Sequence, residues 1–222
     1  GATNASAGLH VAMQDATPMI LFIGQVARDQ VEREAFQEID YRRMFGQVTK
    51  WTAQVDDASR LPELIARAFR VATSGRPGPV AIALPEDMLT EMADVSDALA
   101  YTPLESWPGA DELETMRGML AKAQRPMMLL GGAPWDAEAV SAIQSFAETN
   151  QLPVATSFRR ADRFDNGHPL YAGDLGIGPN PELLEAIKSS DLLIVVGARL
   201  TEMTTGGYTL FDIPVPKQAL VH

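Results

Sequence analysis

Three glycine clusters carry most of the chemistry that this chain's residue types and spacing could perform. Gly131-Gly132 follows a short apolar run and precedes a helical pattern, the place where open α/β sheets bind ligands. The pair is not a GxGxxG fingerprint, so a nucleotide turn and a plain tight turn both remain open. Gly173, Gly176 and Gly178 flank Asp174 and Pro179 in what reads as a loop ahead of a helix, where backbone amides could hold a phosphate. A simple connection explains that loop as well. Gly197 closes another apolar run, and Arg199 beside it could offer a donor fork to a diphosphate or a carboxylate. Other chemistries find little support. His10, His168 and His222 stand in no metal-ligand spacing, no HExxH occurs, and no serine sits in a GxSxG elbow.

The elements that would position these clusters alternate regularly. Apolar runs at Met19–Ile23, Val80–Leu84, Met127–Leu130, Val154–Thr156 and Leu192–Val196 have the length of buried strands. Between them lie amphipathic stretches. Leu61, Leu64, Ile65, Ala68, Phe69 and Ala72 share one helical face that stops at Gly75. Leu113, Met116, Met119, Leu120 and Ala123 form a second face, and Ala139, Val140, Ile143, Phe146 and Ala147 a third behind a capping Asp136. Pro181 suits the first turn of a fourth helix. This alternation predicts an α/β fold with two units of parallel sheet flanked by helices, the second Rossmann-like. Residues 91–109 break the rhythm with Pro103, Pro108, Gly109 and several Asp and Ser, and read as a linker between residues 1–90 and 110–222.

Composition narrows the partners. The 222 residues carry 29 acidic and 18 basic side chains, a formal net charge of −11, which disfavours binding to nucleic acid phosphates. No apolar run reaches the ~18 residues of a membrane helix, so no membrane is expected as partner. The absence of cysteine fits a cytoplasmic protein. The chain opens on Gly1-Ala2-Thr3-Asn4, which reads like mid-loop, and stops on the strand-like Gln218-Ala219-Leu220-Val221-His222. Both ends are therefore expected to be cuts in something longer.

Taken in order, the motifs resemble one family. Gly1-Ala2-Thr3-Asn4, Thr17-Pro18-Met19-Ile20-Leu21-Phe22-Ile23-Gly24-Gln25-Val26, Ala35-Phe36-Gln37-Glu38-Ile39-Asp40, Val48-Thr49-Lys50-Trp51 and Ala72 to Val80 are similar to the pyrimidine-binding domain of thiamine diphosphate-dependent enzymes, specifically the acetolactate synthase group. His168 to Gly173 and Asp191 to Leu200 are similar to the central domain of the same enzymes. The resemblance implies a longer parent with three α/β domains, a homodimer or homotetramer assembled through the pyrimidine-binding domain. It implies thiamine diphosphate and Mg2+ as cofactors, a small-molecule 2-keto acid as substrate, and transfer of the carbanion left by decarboxylation to an acceptor carbonyl.

By motif position, the resemblance places Gly1, Ala2 and Asn4 against the cofactor pyrimidine, with Gln25 beside them. It places Phe36, Gln37 and Lys50 near the substrate channel, and Arg76 where flavin-containing members touch FAD. Gly173, Gly176, Gly197 and Arg199 fall where the central domain holds FAD or another nucleotide. Three departures stand out. The family's activating glutamate and its GDG metal motif have no counterpart here, and Gly173-Asp174-Leu175 is no substitute. The loop Ala172 to Gly178 lacks the Met, Gly and His run of flavin-binding synthases, which puts FAD in question. Finally, Pro85-Glu86-Asp87 stands where the synthases usually carry Pro-Lys-Asp at the channel mouth. Glu86 there would disfavour an anionic acceptor, unless it points to solvent and pairs with an arginine.

Overall fold

A computed structural model describes residues 1–104, 106–132 and 135–222. The chain divides into two compact units, Gly1–Ser106 and Trp107–His222.

The first unit holds a three-stranded parallel sheet, β1 (Met19–Gln25), β2 (Trp51–Gln54) and β3 (Pro79–Pro85), in the order β1-β3-β2. The central strand β3 is apolar throughout because both its faces are covered. Ala81 and Ala83 face a cluster with Leu9 of α1 (Ser6–Asp15) and with Tyr41 and Phe45 of α2 (Tyr41–Phe45). Val80 and Ile82 face Leu64, Ala68 and Ala72 of α3 (Leu61–Thr73). The periodic face expected of α3 is the buried one, although Phe69 remains 52% exposed at its margin.

The second unit is a five-stranded parallel sheet built from β4 (Pro126–Leu130), β5 (Val154–Ser157), β6 (Tyr171–Leu175), β7 (Leu192–Val196) and β8 (Ala219–Val221). Their order is β6-β5-β4-β7-β8. Counted within the unit this is third, second, first, fourth, fifth, the doubly wound order whose direction reverses between β4 and β7. Met128, Leu130, Val154 and Ile194 face α4 (Ala110–Lys122) and α5 (Ala137–Asn150). Leu129, Val195 and Ala155 face α6 (Pro181–Ser189) through Leu183 and Ile187. Met128, Leu129 and Leu130 are fully buried, so truncating any of them to alanine costs about 2–5 kcal/mol.

Local signals explain the helix ends. Asp136 accepts from the Ala139 amide at 2.7 Å, and Asn180 accepts from the Glu182 amide at 2.9 Å ahead of Pro181. The α/β architecture expected from the alternation is the one observed. One expectation needs correction: residues 171–175 are a strand, and only Gly176 and Gly178 lie in the loop that follows. The pairing of β5 with β6 shifts register between Val154 and Ala155, which lets Gly173, with φ at +125°, stay in the ladder. Residues 91–104 are exposed almost throughout and form no helix or strand. Among the described residues no helix is long and apolar enough to cross a membrane.

Candidate functional site

In the second unit the turns after β4 and β7 meet where the sheet order reverses. The Gly131 amide donates to Val196 O at 3.0 Å. A Cβ on Gly132, whose φ is +88°, would lie 2.3 Å from Gly197 O. One on Gly197, with φ at +67°, would lie 2.7 Å from Gly131 O. A Cβ on Gly131 would strike Ser157 Oγ at 2.2 Å and Ala198 Cβ at 2.7 Å. Gly132 and Gly197 are required by backbone touching backbone, and Gly131 by the Ser157 hydroxyl and the Ala198 methyl packed against it. Trp135 Nε1 donates to Gly131 O at 3.1 Å and Arg160 Nε donates to Gly132 O at 2.7 Å, so side chains fix the turn from outside. His222 Nε2 lies 2.8 Å from Ala198 O and does the same for the other turn. Arg199 is exposed beside it.

Asp174, on β6, stands at the same edge. Its Oδ2 is 3.5 Å from Thr156 Oγ1, which in turn lies 3.1 Å from the Tyr171 hydroxyl. Burial pushes the Asp174 carboxyl above the usual carboxylate range, the Thr156 contact opposing this more weakly. Gly176 faces Asp174 closely, since a Cβ there would lie 2.5 Å from Asp174 Oδ1. β6 thus contributes a carboxylate here, and in the loop after it Gly178 has open space where a side chain would stand.

The carboxyl edge of the first unit is built differently. Gln25 is buried, donates through Nε2 to Ile39 O at 2.9 Å and accepts from the Val26 amide at 2.9 Å. It ties the loop carrying Phe36 and Gln37 to the end of β1. Arg28 bonds Asp87 twice, through its amide at 3.0 Å and Nε at 2.7 Å, and bonds Asp56 O at 2.5 Å as well as the Glu91 carboxylate. That one guanidinium joins the ends of all three strands. Its hydrogen bonds to Glu91 and Asp87 raise its pKa further, and the same bond from Arg28 holds the Asp87 carboxyl below the usual carboxylate range. Sequence reasoning missed Arg28, because its partners are remote in the chain.

The first unit separates the residues that the family resemblance places near one channel. Phe36 is 88% exposed, and Gln37, also exposed, adopts φ +67° beside it. Glu86 is exposed at the end of β3, its amide donating to Gln25 O at 3.0 Å, and its carboxylate pairs with no arginine among the described residues. Lys50 instead precedes β2, and its amide donates to Pro79 O at 2.7 Å at the amino end of β3. Its Nζ donates to Ser74 O at 2.6 Å, and burial lowers its pKa. Arg76 lies at that same end and donates to Met13 O at 2.6 Å and Gln14 O at 2.8 Å, capping the last turn of α1. Gly1 and Asn4 are exposed at the other end of α1, while Ala2 packs with Leu9 and Ile39. Among the described residues no three His, Asp or Glu converge as a cation site would require.

Comparison with known proteins gives these geometries a context. Residues 113–222 match the family model described as the thiamine pyrophosphate enzyme central domain. Over its whole length the chain is 35% identical to the acetolactate synthase isozyme 2 large subunit of Escherichia coli, spanning 40% of that protein. It is 32% identical to the acetolactate synthase large subunit of Corynebacterium glutamicum and 31% to a probable one of Methanocaldococcus jannaschii, spanning 36% and 38% of those proteins. The chain therefore spans about two fifths of the length of the relatives it matches.

Proposed function

Because this chain belongs to the thiamine diphosphate-dependent, acetolactate synthase-like family, we propose that it is part of a carboligase acting on 2-keto acids. In this reading residues 1–90 are the later part of the pyrimidine-binding domain, 91–109 the connection, and 110–222 the central domain. The observation that supports it best is the bare glycine edge at the reversal of the second sheet, in a segment that matches the central domain. Thiamine diphosphate, held by Mg2+ through oxygen ligands, supplies the carbanion chemistry when bound. The described residues offer no convergent carboxylates for that cation, so its ligands belong to other parts of the parent.

A nucleotide such as FAD is the group that the family resemblance brings to the second unit. Glycines 131, 132 and 197 let the two turns pack on each other and on Ser157 and Ala198 at the strand ends where such sheets bind ligands, and a side chain at any of them would force the turns apart. This chain's own contribution is then to seat that group and hold the edge rigid through Trp135, Arg160 and His222. In the first unit, Gln25 and Arg28 hold the Phe36 loop and the Glu86 turn in register at the channel side. The parent works as a homodimer or homotetramer in the cytoplasm.

Glu86 favours a second reading within the same family. Its exposed carboxylate is neutralised by no partner among the described residues, and two like charges at 4 Å repel by about 4 kcal/mol at an effective dielectric near 20. An anionic acceptor is therefore disfavoured, and a neutral one preferred. The test is to incubate the full-length protein with pyruvate, thiamine diphosphate and Mg2+, following carbon dioxide and the condensed product. Cofactor-dependent carbon dioxide release is expected, with little acetohydroxy acid from pyruvate alone. No release from any of a panel of 2-keto acids would overturn the carboligase reading. Absorbance near 450 nm of the purified protein reports flavin directly.

A further inference from the structure

We propose that Asn166 is a site of self-modification, where the chain deamidates through the Gly167 amide, and that Asp165 is the latch that keeps the reaction slow. Asn166-Gly167 is the one Asn-Gly pair in the sequence; the other asparagines precede Ala5, Gln151 and Pro181. A following glycine has no Cβ to hinder approach of its amide nitrogen to the asparagine side chain, and a following proline has no N–H to give up. Both residues of the pair are exposed, in the turn that leads toward β6.

The reaction needs no reagent but water. The Gly167 nitrogen attacks Asn166 Cγ and closes a succinimide ring. The bond from Cγ to Nδ2 breaks, and the Gly167 proton leaves with Nδ2 as ammonia. Water then opens the ring at either carbonyl, giving aspartate at position 166 or its isomer with the main chain routed through the side-chain carbonyl.

The fold ties down both reacting groups. The Gly167 amide donates to Asp165 Oδ1 at 2.9 Å, an Asx turn that fixes the attacking nitrogen. Asn166 Nδ2 donates to Ala161 O at 3.0 Å and to Phe164 O at 3.2 Å, which holds the departing nitrogen against the preceding residues. The His168 amide closes the turn by donating to Asp165 O at 3.0 Å. Ring closure therefore requires the turn to open locally, and the Asp165 carboxylate supplies the charge-assisted bond that opposes opening.

The product no longer suits this turn. A carboxylate at position 166 is acceptor-only, yet it would face the carbonyls of Ala161 and Phe164 to which Nδ2 donated, with Asp162 and Asp165 close in sequence. The turn is flanked by Arg160, which holds Gly132 O, and by His168, which meets Glu148. Deamidation thus loosens a strut of the Gly131-Gly132 turn from a distance.

The experiment ages the full-length protein at pH 7 and follows, by peptide mass spectrometry, the gain of one mass unit and of isoaspartate at position 166. Slow conversion is expected there in the native protein, ahead of Asn4, Asn150 and Asn180. Asp165→Ala should convert about tenfold faster or more, the factor that a hydrogen bond to a charged group contributes. Asp165→Asn, which keeps an oxygen acceptor of the same shape without the charge, should fall between the two. Gly167→Ala should suppress conversion in every background, and its Cβ meets Asp165 Oδ1 at an ordinary 3.4 Å. If Asp165→Ala melts below the native protein by circular dichroism, Asp165→Asn carries the comparison. The native rate in both Asp165 variants overturns the latch. No conversion at position 166 in either variant, or faster conversion at another asparagine, overturns the site.

Discussion

The carboxyl edges of the two sheets solve the same problem by opposite means. In the first unit, side chains close the edge: Gln25 reaches Ile39, and Arg28 gathers Asp87, Asp56 and Glu91. In the second unit the edge is closed by removing side chains, so that the Gly131-Gly132 and Gly197 turns touch through backbone. A guanidinium knot fixes loops yet fills the space it controls. Glycine contact fixes them by close approach of the turns themselves. Both edges lie at the carboxyl ends of parallel strands, where α/β folds place their chemistry.

The sharpest way to break this contrast is Gly132→Ala. The substitution meets Gly197 O at 2.3 Å and strains a positive φ. Left-handed strain of about 1–2 kcal/mol and overpacking of about 1–3 kcal/mol should together lower stability by roughly 3 kcal/mol, read as a reduced melting temperature. A variant that melts with the native protein would show that the two turns do not depend on each other.

At the first edge, Glu86→Lys should leave the fold intact and raise the rate with an anionic acceptor about tenfold or more. The readout is a coupled assay with pyruvate alone and with pyruvate plus 2-ketobutyrate. Efficient synthesis by the native protein, not improved by the lysine, would remove any role for Glu86 in acceptor choice.

Two aspartates of the second unit should respond to pH in opposite directions. Asp191 accepts amides from Gln124 at 2.7 Å and Arg125 at 2.9 Å, chiefly the Gln124 bond lowering its pKa. Its contribution is complete above the unfolded value of ~3.9 and is lost as pH falls through the lower folded value. Asp174 has a raised pKa, so folding favours its protonated form and its charged form costs stability at neutral pH. Asp191→Asn should therefore lower the melting temperature at pH 7 and flatten the acid limb. Asp174→Asn should raise it at pH 7, with the gain shrinking as pH falls toward ~3.9. Thermal melts between pH 3 and pH 7 decide it.

The smallest effect should come from Phe36→Ala. With the ring 88% exposed, its removal should shift stability by less than about 0.5 kcal/mol. A marked change in KM for the 2-keto acid without a change in melting temperature would assign the ring to substrate. A large loss of stability would show that it is packed in the assembled protein.

What the sequence reveals follows from how far each signal reaches. The strands β4 and β7 are continuous apolar runs because they are buried on both faces, and such runs are visible locally. By contrast, β6 reads as a loop, since Gly173 and Asp174 are poor strand formers held in place by a register shift on a neighbour. The four residues of β2, at a sheet edge, are too few and too mixed to announce themselves. At the candidate site, the glycines are legible one by one as strand-end punctuation. Their mutual contact is not, because Gly131 and Gly197 meet only through the sheet order. The same applies to Arg28 and Asp87, which are brought together by the pairing of β1 with β3.

The sheet order of the second unit also sets a schedule for its birth. β4 is made first yet ends in the middle, between β5 and β7. As the chain leaves the ribosome, β5 and β6 can dock on one side of β4, while its other edge stays open until residues 131–191 have followed. At ~5–20 residues per second that wait lasts several seconds. For that interval the nascent sheet exposes an unpaired apolar edge of the kind that invites mispairing with another chain. The Gly131 and Gly197 turns can clasp only after β7 arrives, so the rim that would receive a ligand is among the last parts of the unit to take shape.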